Sequence, residues 1–499
     1  MEISCPQWPE ASLERAISLS DPHITTPAPP LTKPPRVMGL ADVTLFMVTA
    51  GCTLQWTATA ASSGPSSLVV WVLGAVAMLL PIAVTVVFLS ARYPDEGGLY
   101  AWTQRAFGPF AGFMTGWTYW SGTLAFLPSV LYFAAGAALL AFPRTPGADA
   151  GPAYFITFSI VTLLVSAILN VRGLAIAKWL NSAGAVARWG GIVLLIVLGL
   201  ATYWRFGSAT PFNRQTMTPT FRLADVIFWT TLAFAFTGPE AASFMGGEIR
   251  DPRRTIPKAL ALAAPMIVGI YLVGTACILL AIPPERAGGV YGVMEAIRES
   301  AARLGLSWLI PLGGLFVAFD RIGSACLWIG ALARLPTAAG VDQYLPKGFT
   351  RLHPKYGSPA VAIWTQVIVV ALLVVLGQSG TSVRGAYAVL IEMMIVASMF
   401  PFLLLFGAAI KLSAGPGGMG ATRLPGGRKT LVAIALLGIA TTVASMAISF
   451  VPPPEEEHPT LSILKVAGLT TVLLLGGSAL YAVGAFRARR RLADGLAAG

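Results

Sequence analysis

Residues 234–260 read Phe234-Ala235-Phe236-Thr237-Gly238-Pro239-Glu240-Ala241-Ala242-Ser243-Phe244-Met245-Gly246-Gly247-Glu248-Ile249-Arg250-Asp251-Pro252-Arg253-Arg254-Thr255-Ile256-Pro257-Lys258-Ala259-Leu260. The segment enters as an apolar helix, and Gly238-Pro239 interrupts it. Glycine is conformationally loose, and proline has no N–H to give the helical ladder. Glu240 places a carboxyl at membrane depth, where a charge is costly, and that cost makes it a functional candidate. A helix interrupted near the midplane exposes backbone N–H and C=O groups, which are able to bind the ends of a small polar solute.

The rest of the chain agrees with a membrane setting. It has 499 residues, 56% hydrophobic and only 11% charged, where a soluble protein carries about 25% charged residues. The apolar runs reach the ~20 residues a helix needs to cross a bilayer. Twelve spans are expected, starting near Gly39, Ser67, Ala111, Ala153, Ala183, Leu223, Lys258, Ser307, Pro359, Gly385, Lys429 and Leu461. The organisation is therefore an all-α polytopic membrane protein: a transmembrane domain over 39–486, a disordered cytoplasmic tail over 1–38 and a cytoplasmic tail over 487–499. The first stretch, rich in proline from Pro27 to Pro35, has no apolar core behind a basic start, so it is not a signal peptide.

The formal charge of +12 does not indicate nucleic acid, because no basic stripe with interleaved aromatics appears. Basic residues instead gather on one side of the spans. Most of the 34 Lys and Arg residues fall in segments that face the cytoplasm if the N-terminus is inside. Both termini are then cytoplasmic. Cys5, Cys52, Cys277 and Cys326 show no CxxC spacing, and His23, His353 and His458 lie in polar connections. Neither a metal site nor a haem or other cofactor is expected. No nucleotide loop or nucleophile–histidine pair points to an enzyme.

Two tetrapeptides echo each other: Leu40-Ala41-Asp42-Val43 opens span one and Leu223-Ala224-Asp225-Val226 opens span six. Each is followed by a glycine-bearing interruption. Paired interrupted helices in two halves are the sequence pointer to an inverted repeat.

Three loops carry a family resemblance. The first is Phe234 to Glu240 with Gly247-Glu248-Ile249-Arg250-Asp251-Pro252. The second is Glu96-Gly97-Gly98-Leu99-Tyr100 with Phe107-Gly108-Pro109. The third is Arg334-Leu335-Pro336 with Asp342, Leu345-Pro346 and Tyr356-Gly357-Ser358-Pro359. In this order they make the chain resemble the amino acid–polyamine–organocation permeases over roughly its first ten spans. The resemblance implies the leucine-transporter type of fold, a five-plus-five inverted repeat with two further helices. It implies secondary active transport of amino acids or related amines by alternating access, proton-coupled or by exchange, in a bacterial inner membrane. Its partners are then a small solute and the lipid bilayer, with no nucleic acid. A polyamine or basic amino acid exchanger is the rival within transport, and a non-transporting receptor is the rival outside it.

The resemblance also implies a site. Ala50-Gly51-Cys52 stands where the family breaks span one, and only Gly51 keeps the smallness that lets a carboxylate approach backbone N–H groups. Gln55 and Trp56 follow where the family has mostly apolar residues. Phe234 and Phe236 are candidates to cover the solute, whose amine meets carbonyls around Phe236, Thr237 and Gly238. Trp328 falls at an aromatic gate position, and Glu392 where some members contact the substrate side chain. Glu240, Asp320, Arg321 and Arg188 are candidates for gating or proton coupling. Arg188 stands where many members have a lysine, and an arginine is a fixed charge. Asp320 and Arg321 point about 100° apart on a helix, so each is expected to find another partner, with Glu392 or Glu240 open to Arg321. Ala287 to Leu304 reads as an amphipathic helix with Val290, Met294, Ile297 and Leu304 on one side.

Overall fold

The computed structural model describes residues 38–93, 98–141, 150–220, 222–245, 249–289, 291–333, 344–346, 348–349, 351–378, 383–415, 426–452 and 458–497. The expected N-terminal tail before Met38, Glu96-Gly97, Gly246 to Glu248, the stretch Arg334 to Asp342, and Val290 lie outside the described residues.

Ten helices among the described residues are long and apolar enough to span a bilayer. The two other expected spans are each broken. Span one is α1 (Leu40–Gly51) followed by α2 (Leu54–Ala61). The unbroken α3 (Ser66–Arg92), the short α4 (Gly98–Phe107), and the spans α5 (Pro109–Ala141), α6 (Pro152–Arg172) and α7 (Leu174–Phe206) come next. Span six is α8 (Leu223–Ala235) and then a tight 3₁₀ turn, Pro239–Met245. After it run α9 (Pro252–Ala281), the surface helix α10 (Gly292–Arg303), α11 (Leu309–Leu332), α12 (Ala360–Gln378), α13 (Val383–Ser413), α14 (Gly427–Ile448) and α15 (Pro459–Ala497). Both echoed tetrapeptides form the first turn of a broken span, since α1 starts at Leu40 and α8 at Leu223.

Lipid exposure differs from helix to helix. The most apolar window of α5 is 78% buried and that of α15 only 11%, so α5 is central and α15 peripheral. Helix α7 shows the membrane fit directly. Trp179 and Trp204 stand 72% and 81% exposed near its two ends. At 1.5 Å per residue they are about 37 Å apart, which places both indoles in the interfacial belts of a bilayer.

The core is set by close helix crossings. A Cβ on Gly184 of α7 would lie 2.8 Å from the Cα of Gly323 on α11. Small residues let two membrane helices touch backbone to backbone. Arg188 and Asp320 lie one turn from that crossing, on the same faces, and this is why they meet.

Two expectations on boundaries change. The fifth run begins at Leu174, not Ala183, so Arg188 sits in mid-helix. The amphipathic segment after α9 is helical only from Gly292, preceded by a 3₁₀ turn at Pro284–Arg286. Met294 and Ile297 are buried against the bundle, and Leu304 packs on its edge. On its outer side, Arg298 and Arg303 of α10 and Arg286 of the 3₁₀ turn pair with Glu295 and Glu299. The apolar part of α15 ends at Arg487, and the helix runs on to Ala497 along the segment expected as a cytoplasmic tail.

Candidate functional site

The two breaks face each other. In span one, Cys52 and Thr53 are extended (φ −132° and −138°) between α1 and α2. In span six, Gly238 takes φ +121°, a conformation for glycine alone. A Cβ there would lie 2.5 Å from the Ala50 carbonyl oxygen, and a Cβ on Gly51 would lie 2.9 Å from Pro239. The backbones are thus in direct contact, and the two glycines make the contact possible.

Tyr271 of α9 ties both breaks together. Its hydroxyl lies 2.9 Å from the Gly51 carbonyl and 3.0 Å from that of Ala235, and the Thr53 N–H donates to it over 3.4 Å. The phenol has one proton, so it serves the two carbonyls in turn. Trp71 stacks on Tyr271 at 4.2 Å between ring centres, and Phe236 meets both rings edge-on at 5.3 and 5.7 Å. The indole N–H of Trp71 donates to Thr275 Oγ1. Phe236 is therefore fixed in this aromatic cluster and does not cover the cavity.

Glu240 closes on its own break. Its Oε2 accepts from the Gly238 N–H at 2.7 Å, and the Tyr119 hydroxyl donates to Oε1 at 3.4 Å. The carboxyl caps an unwound N–H that would otherwise be an orphan, and it also faces the space between the spans.

A second charged cluster lies beside the span-one break. Arg188 Nε donates to Asp320 Oδ1 at 2.7 Å, Nη2 to Ser324 Oγ at 2.6 Å, and Nη1 to the Thr49 carbonyl. Arg321 Nε and Nη2 both donate to Asp320 Oδ2. One carboxylate thus serves two guanidiniums. Asp320 finds another partner in Arg188, as expected, whereas Arg321 turns back to its neighbour, which corrects the expectation for Arg321. The long arginine stem curls back over the 100° offset, and neither Glu240 nor Glu392 pairs with Arg321 among the described residues.

Between the breaks lies a cavity of about 70 Å³. At roughly 10–15 Å³ per water this is room for several waters, hence for a compact solute. Its polar lining includes Thr49, Thr53, Thr237, Glu240, Arg188 and Arg321. Trp56, Phe126 and Phe234 form an aromatic wall, with ring centres 5.8 to 6.5 Å apart. Trp328 and Ser398 complete it.

Of the sequence candidates, Ala50, Phe234, Thr237, Gly238, Trp328, Glu240, Arg188 and Arg321 line this cavity. Gly51 and Cys52 shape the break from behind, and Asp320 acts through its two arginines. Gln55 is fully buried off the cavity, with neither amide atom hydrogen-bonded among the described residues. Glu392 is also buried elsewhere, near Ser449, and its Oε2 has no partner among the described residues. Tyr119, Tyr271, Thr53 and Ser324 escaped the sequence reading. A signal existed only for the tyrosines, since a phenol inside an apolar span must find a polar partner.

The family model described as amino acid permease matches residues 37–474. An uncharacterized transporter of Legionella pneumophila is 25% identical over 89% of this chain and 95% of its own length. A glutamate/gamma-aminobutyrate antiporter of Lactococcus lactis is 24% identical over 81% of this chain and 82% of its own. A probable agmatine/putrescine antiporter of the same species is 23% identical over 63% and 67%.

Proposed function

The chain belongs to the amino acid permease family, and on that premise we propose that it is a secondary active transporter of amino acids or related amines, working by alternating access, with proton symport or exchange as the coupling. The carrying observation is the pair of broken spans, α1/α2 and α8 with its 3₁₀ turn, in contact at Ala50–Gly238 around a polar cavity. The N-terminus of α2 points N–H groups and a positive dipole end into the break, which suits a carboxylate. The carbonyl end of α8 suits an ammonium. A zwitterion spans the two. The fold in this reading is a twelve-span, five-plus-five inverted repeat with both termini cytoplasmic, supported by the matching breaks and by the basic loops.

Alternating access needs contacts that differ between the two facing states. The Arg188–Thr49 and Tyr271 bonds join the broken spans to α7 and α9, so they are the contacts that a rocking motion would change. Glu240 is the candidate proton carrier, because it is buried, faces the cavity and touches the broken backbone. Arg188 supplies a fixed charge. The polyamine reading loses support from the placement of Glu392 away from the cavity, where it cannot meet a second ammonium.

The test is uptake by purified protein in liposomes, with labelled amino acids and polyamines at two internal pH values. Accumulation or exchange of an amino acid is expected. Binding without any uptake would favour a receptor, and uptake of polyamines alone would favour the rival carrier.

A further inference from the structure

We propose that Arg321 forms an anion subsite in the cavity, and that the solute is an acidic amino acid whose side-chain carboxylate it receives. This rests on the transporter reading above and deepens it.

The charged cluster beside span one is unbalanced. Arg188 and Arg321 share the single carboxylate of Asp320. Every nitrogen of the Arg188 guanidinium is engaged, on Asp320, Thr49 and Ser324. Arg321 is different. Its Nε and Nη2 both go to one oxygen of Asp320, and Nη1 makes no hydrogen bond among the described residues. The side chain is 1% exposed, yet the residue lines the cavity. A buried guanidinium with unmade N–H bonds, in a cluster with one surplus positive charge, is costly unless an anion completes it.

Glu240 does not fill that role, because it is committed to Gly238 and Tyr119 and forms no ion pair with either arginine. The substrate supplies the missing anion. The backbone of the breaks holds the α-carboxylate and α-ammonium, and Arg321 takes a further carboxylate. The guanidinium fork suits a planar carboxylate better than any neutral side chain. A cavity of about 70 Å³ limits the solute to a short one. A diamine has no carboxylate to offer and meets a like charge.

The test uses isosteres. In proteoliposomes of the full chain, uptake of labelled L-glutamate, L-aspartate and L-leucine is measured with L-glutamate, L-glutamine, L-aspartate, L-asparagine, L-leucine and putrescine as competitors. The acids are expected to compete about 10- to 100-fold better than their amides, the range for a hydrogen bond to a charged group. Arg321→Lys is expected to narrow this ratio and Arg321→Gln to erase or invert it. Where Arg321→Gln does not fold, thermal stabilisation of the unmodified protein by acid against amide gives the same ratio.

Equal competition by acids and amides, or robust uptake of leucine with no effect of the acids, would overturn the subsite while leaving the transporter standing. An unchanged acid-to-amide ratio in Arg321→Gln would also overturn it. No uptake or stabilisation by any solute would remove the transporter reading and the subsite together.

Discussion

Gly238→Ala tests the contact on which the site depends. The substitution acts in two ways. It forces a Cβ onto a backbone with φ +121°, and it puts that atom 2.5 Å from the Ala50 oxygen and 2.8 Å from the Ala50 carbonyl carbon. The first effect costs about 1–3 kcal/mol. The second is an overpacking cost of about 1–3 kcal/mol, at the upper end because the obstacle is backbone and has no rotamer to change. Together they reach about 2–6 kcal/mol, against a whole-domain stability of about 5–15 kcal/mol. The relief available is to push spans one and six apart, which opens the cavity and breaks the Tyr271 bridge. The assay pairs thermal unfolding of the solubilised protein with uptake in liposomes. Two controls separate the terms. Gly357→Ala has a positive φ of 62° with nothing within 4 Å, so it carries strain alone. Gly269→Ala in α9 has neither strain nor a neighbour and is expected to be neutral or slightly stabilising. A Gly238→Ala protein that melts with the Gly269→Ala control and transports normally would refute the direct contact of the two breaks.

Four further outcomes are expected. Glu240→Gln keeps the shape of the cap but has no proton to exchange, so pH-driven accumulation is lost while exchange persists; unchanged pH-driven uptake in liposomes would exclude Glu240 from coupling. Asp320→Asn leaves two guanidiniums buried without a counter-charge and is expected to cost about 3–5 kcal/mol, read as loss of folded protein on size exclusion. Tyr271→Phe strands the Gly51 and Ala235 carbonyls, a loss of about 1–3 kcal/mol, and should lower the melting temperature and slow transport more than Trp71→Phe. The pairing around α10 should be acid-labile. Partial burial works to raise the Glu299 carboxyl, but hydrogen bonds and charge from Arg303 and Arg286 outweigh it and hold it below the usual range. A lowered folded value means that this stability is present above the unfolded value of about 4.3 and is lost as pH falls through the folded one. The protection of residues 292–303, taken relative to the intrinsic exchange rate at each pH, should therefore fall in acid, and protection that is unchanged from pH 6 to pH 3 would contradict the pairing.

The membrane class, the run of spans and the two interruptions were legible in the sequence because they depend on local properties. Apolar length, Gly238-Pro239 and the smallness of Gly51 act within a few residues of themselves. The same holds for Glu240, whose burial follows from the span that contains it. What the sequence could not carry was which side chains cross between helices. Asp320 and Arg321 looked as though they should diverge, and only the closeness of Gly184 to Gly323 brought Arg188 onto Asp320 and left Arg321 to fold back beside it. Phe236 looked like a lid and became part of an aromatic cluster, since Trp71 and Tyr271 arrive from spans far away in the chain. Glu392 and Gln55 looked as if they faced the solute, but the rotation of their helices turned them away. Span and break are set by short-range hydrophobicity and backbone chemistry. The electrostatic character of the cavity is set by helix rotation and crossing distance, which exist only once the bundle has packed.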